Sequence, residues 1–96
     1  MNAKMPVMPA AVATAVGSRQ WRIEDVRKVD LGRSSLPRFR FEWELTHVSK
    51  AYNVLLSSDE NGDRHGEATV LENGRASTLD GDRELMAMIV ALGDEH

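Results

Sequence analysis

A chain of 96 residues, 42% hydrophobic and 28% charged, has the make-up of one small globular domain with a modest core and marginal stability. The absence of cysteine excludes a disulfide framework, thiolate metal sites, iron–sulfur clusters and a thiol nucleophile, and it fits a cytoplasmic protein. The net charge of −3 hides a division: residues 1–50 hold nine Lys/Arg against five Asp/Glu (+4), and residues 51–96 hold three against ten (−7). Seven cations, Arg19, Arg22, Arg27, Lys28, Arg33, Arg38 and Arg40, crowd one stretch. Such asymmetry points to an electrostatic partner or to basic and acidic strands paired inside one fold, and pairing inside the fold is the expectation.

The first eighteen residues, MNAKMPVMPAAVATAVGS, join one lysine to an Ala/Val stretch and are faintly signal-like. Two prolines interrupt the start, and the apolar run is too short to span a bilayer. The expectation is a flexible or weakly structured segment over 1–18, either a frayed tail or a short helix begun at Pro9 and stopped by Gly17. Residues 19–96 then form a single α+β domain, with no membrane segment.

In QWRIEDVRKVDLG, Trp21, Ile23, Val29 and Leu31 occupy odd positions, and Asp25 and Arg27 interrupt that face. This predicts a strand with a bulge or an exposed middle. LGRSSLP connects it to the next element, with Gly32 and Pro37 as breakers. RFRFEWELTH, residues 38–47, places Phe39, Phe41, Trp43, Leu45 and His47 on one face and Arg38, Arg40, Glu42, Glu44 and Thr46 on the other. That alternation predicts a strand with one buried face. THVSKAYNVLLSSD reads two ways. Val48, Ala51, Tyr52, Leu55 and Leu56 fit a helix capped by Thr46, whereas Tyr52, Val54 and Leu56 alternate as in a strand. The helix matches more positions, so a second helix at 47–58 is the expectation.

GEATVLENGRASTL, residues 66–79, predicts a hairpin turning at Asn73-Gly74, with Glu72 and Arg75 opposed. The final segment predicts a helix capped by Asp80 or Thr78, with Asp82 and Glu84 at its positive end and Gly93 as its stop. Its body, LMAMIVAL, is apolar on most sides, so it needs two neighbours. One is the sheet, and a second subunit could be the other. The fold class is therefore α+β: an antiparallel sheet of four to five strands with a C-terminal helix on one face, arranged as two ββα halves.

The most chemical-looking stretch is SSDENGDRHGE, residues 57–67. Read as a calcium loop, Asp59, Asn61 and Asp63 supply the first three ligands. Arg64 then stands where the loop needs glycine, and Val70 where it needs glutamate. A transition-metal site from Asp63, His65 and His47 lacks any supporting spacing. A polar turn is the expectation. His47, on the apolar face of its strand, reads as a buried or rim histidine, and His96 is a terminus. Glu42 and Glu44 share a strand face with Arg38 and Arg40, as on the solvent side of a sheet. No phosphate loop, nucleophile elbow, dinucleotide fingerprint or zinc signature occurs. No cofactor or metal is expected.

Function is thus expected to lie in binding. The first hypothesis is a non-catalytic protein acting on another protein, or on a second copy, through Leu85, Met86, Met88, Ile89 and Leu92. The phage-encoded inhibitors, such as anti-CRISPR proteins, and accessory subunits offer an analogy of size alone. The second is nucleic-acid binding through Arg22, Arg27, Lys28, Arg33, Arg38 and Arg40, which would neutralise phosphates. A small enzyme with an unrecognised site is the third.

Overall fold

A computed structural model describes residues 6–93. Helix α1 (Ala10–Ser18) leads into five strands, β1 (Trp21–Asp30), β2 (Phe39–His47), β3 (Tyr52–Ser58), β4 (Arg64–Glu72) and β5 (Arg75–Leu79), and α2 (Asp82–Gly93) closes the chain. The strands form one antiparallel sheet in the order β1-β2-β3-β4-β5, so each pairs with its neighbour in sequence. The α+β class, the sheet and the C-terminal helix match the sequence reading. The arrangement is not two ββα halves but a meander flanked by helices.

The helix expected at 47–58 is corrected: the segment is a turn followed by the central strand β3. Lys50 closes that turn by donating to the His47 carbonyl at 2.8 Å, with φ +66°. Thr46 stays in β2 and accepts a bond from Asn53 instead of capping a helix. Tyr52, Val54, Leu56 and Ser58 then point inward, and Leu55 points out. Two ladders, to β2 and to β4, outweigh a local pattern that fitted a helix only because Leu55 and Leu56 are adjacent.

In β1 the interruption at Asp25 is a bulge between Ile23 and Asp25. It moves the inward register from odd to even positions, so Val26, opposite Trp43, packs against the core. Val29 consequently shares the outer face with Arg40. The β4–β5 hairpin turns at Asn73 (φ +51°) and Gly74 (φ +84°), with Glu72 opposite Arg75, as the sequence predicts.

Both helices cover one face of the sheet. Residues 10–18 are an ordered part of the domain, with Ala11, Val12 and Ala15 buried. The helix passes through Gly17 and ends at Arg19, which takes the left-handed conformation (φ 63°). In α2 the first turn is closed by the Leu85 N–H donating to the Gly81 carbonyl at 3.2 Å, so Gly81 holds the capping position rather than Asp80 or Thr78. The core joins Val12 and Ala15 of α1, Trp43 and Leu45 of β2, Val54 and Leu56 of β3, Ala68 and Val70 of β4, and Leu85 and Ile89 of α2. Trp43 is fully buried, and its indole N–H donates to Ser58 Oγ at 2.9 Å.

Candidate binding surfaces

The 57–67 stretch is a turn built to close on itself. The Asp59 carboxylate accepts the backbone N–H of Asn61 at 2.8 Å and of Asp63 at 3.1 Å. Burial raises the Asp59 pKa, but those two N–H groups and nearby His65 lower it further, and the net shift is below the ordinary aspartate value. Gly62 (φ +89°) lies under the N-terminal segment: a Cβ there would sit 3.1 Å from the Met8 carbonyl oxygen and from Val7 Cγ1. Val7 N–H in turn donates to the Glu60 carbonyl at 3.0 Å. The turn therefore docks the chain that precedes α1. His47 and His65 lie at opposite ends of the sheet, opposite Trp21 and Ser57 respectively, so the structure does not gather Asp63, His65 and His47.

Arg64 is the residue of this region that sequence reading missed. Its side chain is only 7% exposed and its guanidinium pairs with Asp82 and the Asp80 carbonyl, at the start of α2. Nη1 is buried and has no partner among the described residues. An arginine in a polar run carries no sequence signal of burial.

The other end of α2 is held by side chains. Trp21 Nε1–H donates to the Ile89 carbonyl at 3.3 Å, and His47 Nε2 lies 3.1 Å from the Leu92 carbonyl. The Ser49 backbone N–H donates to His47 Nδ1 at 3.1 Å, which makes Nδ1 the acceptor and assigns the proton to Nε2. The last four carbonyls of a helix lack partners along the helix itself, and His47 meets one of them at Leu92, while Trp21 adds a bond to Ile89 just before them. His47 also meets Trp21 and Tyr52 edge-on, with ring centroids 5.1 and 5.6 Å apart. It is a buried structural histidine.

The residues expected to form a partner contact divide. Leu85 and Ile89 are fully buried within the chain, and Met86, Met88 and Leu92 are partly buried against the same core. Within the chain, α1 supplies a second neighbour for the apolar run. α2 leaves exposed the charged Asp82, Arg83 and Glu84 of its first turn and then Ala87, Val90 and Ala91, and α1 adds Ala10, Ala13, Val16 and Gly17. α1 contains no charged residue. The outer sheet face is mainly polar by contrast, with Arg27, Glu42, Ser57, Glu67 and Thr69 lining, together with the exposed Leu55, a cleft of about 240 Å³.

The basic residues also divide. Arg22 pairs with Glu24 at 3.4 Å, and Arg27 with Asp25 at 3.8 Å and Glu42 at 3.6 Å. Arg38 grips Asp30 with two nitrogens, at 3.3 and 3.1 Å. Hydrogen bonding between them, with that of Gly32 to the carboxylate, lowers the Asp30 pKa, and the same contact raises that of Arg38. Lys28 Nζ lies 4.0 Å above the Phe39 ring and the Arg38 guanidinium 4.9 Å from it. Arg33 and Arg40 are exposed and make no ion pair among the described residues. Every one of these pairs joins residues of the same half of the chain, so the basic and acidic halves do not neutralise each other as expected. Between β1 and β2, Leu36 is 98% exposed, and with Pro37, Arg38, Phe39 and Glu60 it lines a cleft of about 330 Å³. Sequence reading passed over Leu36, whose only signal is an apolar residue inside a Gly-, Ser- and Pro-rich connection.

Among the described residues, no helix is long and apolar enough to cross a membrane, and no group of three His, Asp or Glu converges as a metal site. Compared with known proteins, the chain matches no family model, no curated protein and no solved structure.

Proposed function

We propose that this is a non-catalytic, cytoplasmic binding protein that acts through contact with another protein, made by the solvent side of its helix layer. The supporting observation is the contrast between its two faces. Apart from Leu55, the sheet's outer face is mainly polar and carries ion pairs, whereas beyond the charged first turn of α2 the helix layer presents Ala13, Val16, Ala87, Val90 and Ala91. Small apolar residues allow close approach of a partner surface, and an uncharged patch loses little on desolvation. Met86 and Met88, partly buried beside it, adapt to irregular contacts. A small protein with this surface suits the work of an inhibitor or accessory subunit, such as those encoded by phages and mobile elements, and a second copy of the chain is one partner the surface can take. The test is a Val16→Glu, Val90→Glu double variant. At micromolar concentration, a native complex or homodimer present in the wild type should be lost in the variant while the circular dichroism is unchanged. A complex that survives both glutamates overturns the reading.

A second reading, nucleic-acid contact, is favoured by one observation: among the described residues, Arg33 and Arg40 stand unpaired at the end of the β1–β2 hairpin, where Lys28 adds a cation and Arg38 is paired with Asp30.

A further inference from the structure

We propose that the β1–β2 hairpin is a DNA-duplex-contacting arm in which Leu36 is an apolar wedge between base steps and Arg33 and Arg40 hold flanking phosphates; this rests on the second, nucleic-acid reading.

The loop that presents Leu36 is braced. Leu31 N–H donates to the Arg38 carbonyl at 2.6 Å, Ser35 N–H to the Gly32 carbonyl at 3.1 Å, and Ser35 Oγ–H to the Leu31 carbonyl at 2.7 Å. Asp30 accepts the Gly32 N–H at 2.9 Å while gripping Arg38. Leu36 therefore stands in solvent on a fixed support, which is how an inserted side chain is preorganised. The arm also clears its neighbour: β1–β2 pairing runs out to Asp30 opposite Phe39, whereas β2–β3 pairing stops at Phe41 opposite Ser58.

Charge selects the partner. From Lys28 to Arg40 the hairpin holds four cations and one carboxylate, while residues 52–93 hold eight carboxylates and three cations. An anionic ligand is drawn to the arm and repelled elsewhere. The aromatic residues select duplex over single strand. Trp21, Phe41 and Trp43 are buried, Tyr52 is partly buried against His47 at the far end of the sheet, and the Phe39 ring is engaged by Lys28 and Arg38, so the arm offers no free ring for bases to stack on. What remains is a two-stranded ribbon, a shape that a DNA groove admits, tipped by a leucine of the kind that wedges between base steps. Glu60, which lines the cleft beside Leu36, is the opposing charge.

The test is fluorescence anisotropy of the full chain with a labelled DNA duplex of about 20 base pairs and with one of its single strands, since such sites span a helical turn or two. Two phosphate contacts predict that duplex affinity falls about 12-fold between 50 and 200 mM salt, and removing both in Arg33→Ala, Arg40→Ala should abolish most of that fall. Leu36→Ala should weaken duplex binding about tenfold without changing the salt dependence. Glu60→Gln should strengthen it. Duplex binding that is indifferent to Leu36→Ala overturns the wedge and leaves the nucleic-acid reading standing, as does tighter binding of the single strand for the duplex arm. No salt-dependent binding to either probe at 50 mM removes both, and assigns the tip to an acidic, apolar-pocketed protein instead.

Discussion

Ile89 and Val90 are neighbours on α2 with opposite environments, and truncating each in turn tests whether the apolar run is core or interface. Ile89 is fully buried and Val90 is 46% exposed. Ile89→Ala removes three carbons, about 2.4 kcal/mol at about 0.8 kcal/mol per buried methylene. Part of the vacated volume will persist beneath α1 and add about 1 kcal/mol, which gives a loss of about 3.5 kcal/mol. A domain of this length has a total stability of about 5–14 kcal/mol, so the variant folds but unfolds at a much lower urea concentration. Val90→Ala should cost no more than about 0.5 kcal/mol. Trp43 lies in the core and Trp21 bonds to α2, so tryptophan fluorescence reports both the sheet and the helix in one urea titration. The titration is run at two protein concentrations tenfold apart. An internal helix gives a wild-type midpoint independent of concentration and a large loss at Ile89 alone. A loss below about 1 kcal/mol for Ile89→Ala, or equal losses at the two positions, would refute the placement of α2.

Three further outcomes follow from named contacts. Asp82→Asn leaves the Arg64 guanidinium buried with one charged partner fewer and should cost about 1–2 kcal/mol, moderated because Asp82 is itself mostly exposed; Arg64→Met removes the charge and its unpartnered Nη1 together and should stay within about 1 kcal/mol of wild type. The reverse order in urea titrations would count against the buried-arginine account. Gly62→Ala should cost about 2 kcal/mol, more than Gly66→Ala, because both have positive φ but only Gly62 has the Met8 carbonyl 3.1 Å from the added Cβ; equal losses would mean that the N-terminal segment is not docked there. Asp59 has a pKa below the ordinary 3.8 in the fold, so its contribution to stability is present above that value and is lost as pH falls through the lower folded one. The stability difference between wild type and Asp59→Asn, followed by urea midpoints from pH 6 to pH 3, should shrink below about pH 4, and a difference that stays constant speaks against the shift.

The parts of the fold that were legible in the sequence are those where local pattern and tertiary demand agree. β2 alternates without a break because one side meets the core and the other meets water. Asn73-Gly74 specifies its turn through two positive φ values that few other residue pairs accept. β1 announced its bulge by placing Asp25 and Arg27 where a regular strand would have buried them. The failures have the opposite cause. β3 is central and bonded on both sides, and that environment tolerates apolar residues in either phase, so Leu55 could sit outward and mimic a helix stripe. The apolar run of α2 implied more than one neighbour, and α1 supplies one that nothing in the run's own residues identifies. Candidate sites were less legible still, since exposure decides them: Leu36 and Arg64 acquire their interest only from being respectively outside and inside.

The charge division shows how topology can turn a sequence property into a spatial one. In a meander, strand order across the sheet is strand order along the chain, so a basic first half and an acidic second half become two sides of one sheet. A crossover topology would have interleaved them. At about 4.8 Å between strands, β1 and β5 stand about 19 Å apart, more than twice the roughly 8 Å over which charges are screened at physiological salt. The cations left over at the β1–β2 end are therefore barely offset by the carboxylates beyond β4, and a phosphate approaching Arg33 or Arg40 meets a local field set by those residues, by the Arg38–Asp30 pair of the same hairpin and by Glu60. The net charge of −3 is thus no argument against an anionic partner. The nearest carboxylates are, which is why Glu60→Gln and the arginine variants must move affinity in opposite directions if the arm does what its geometry allows.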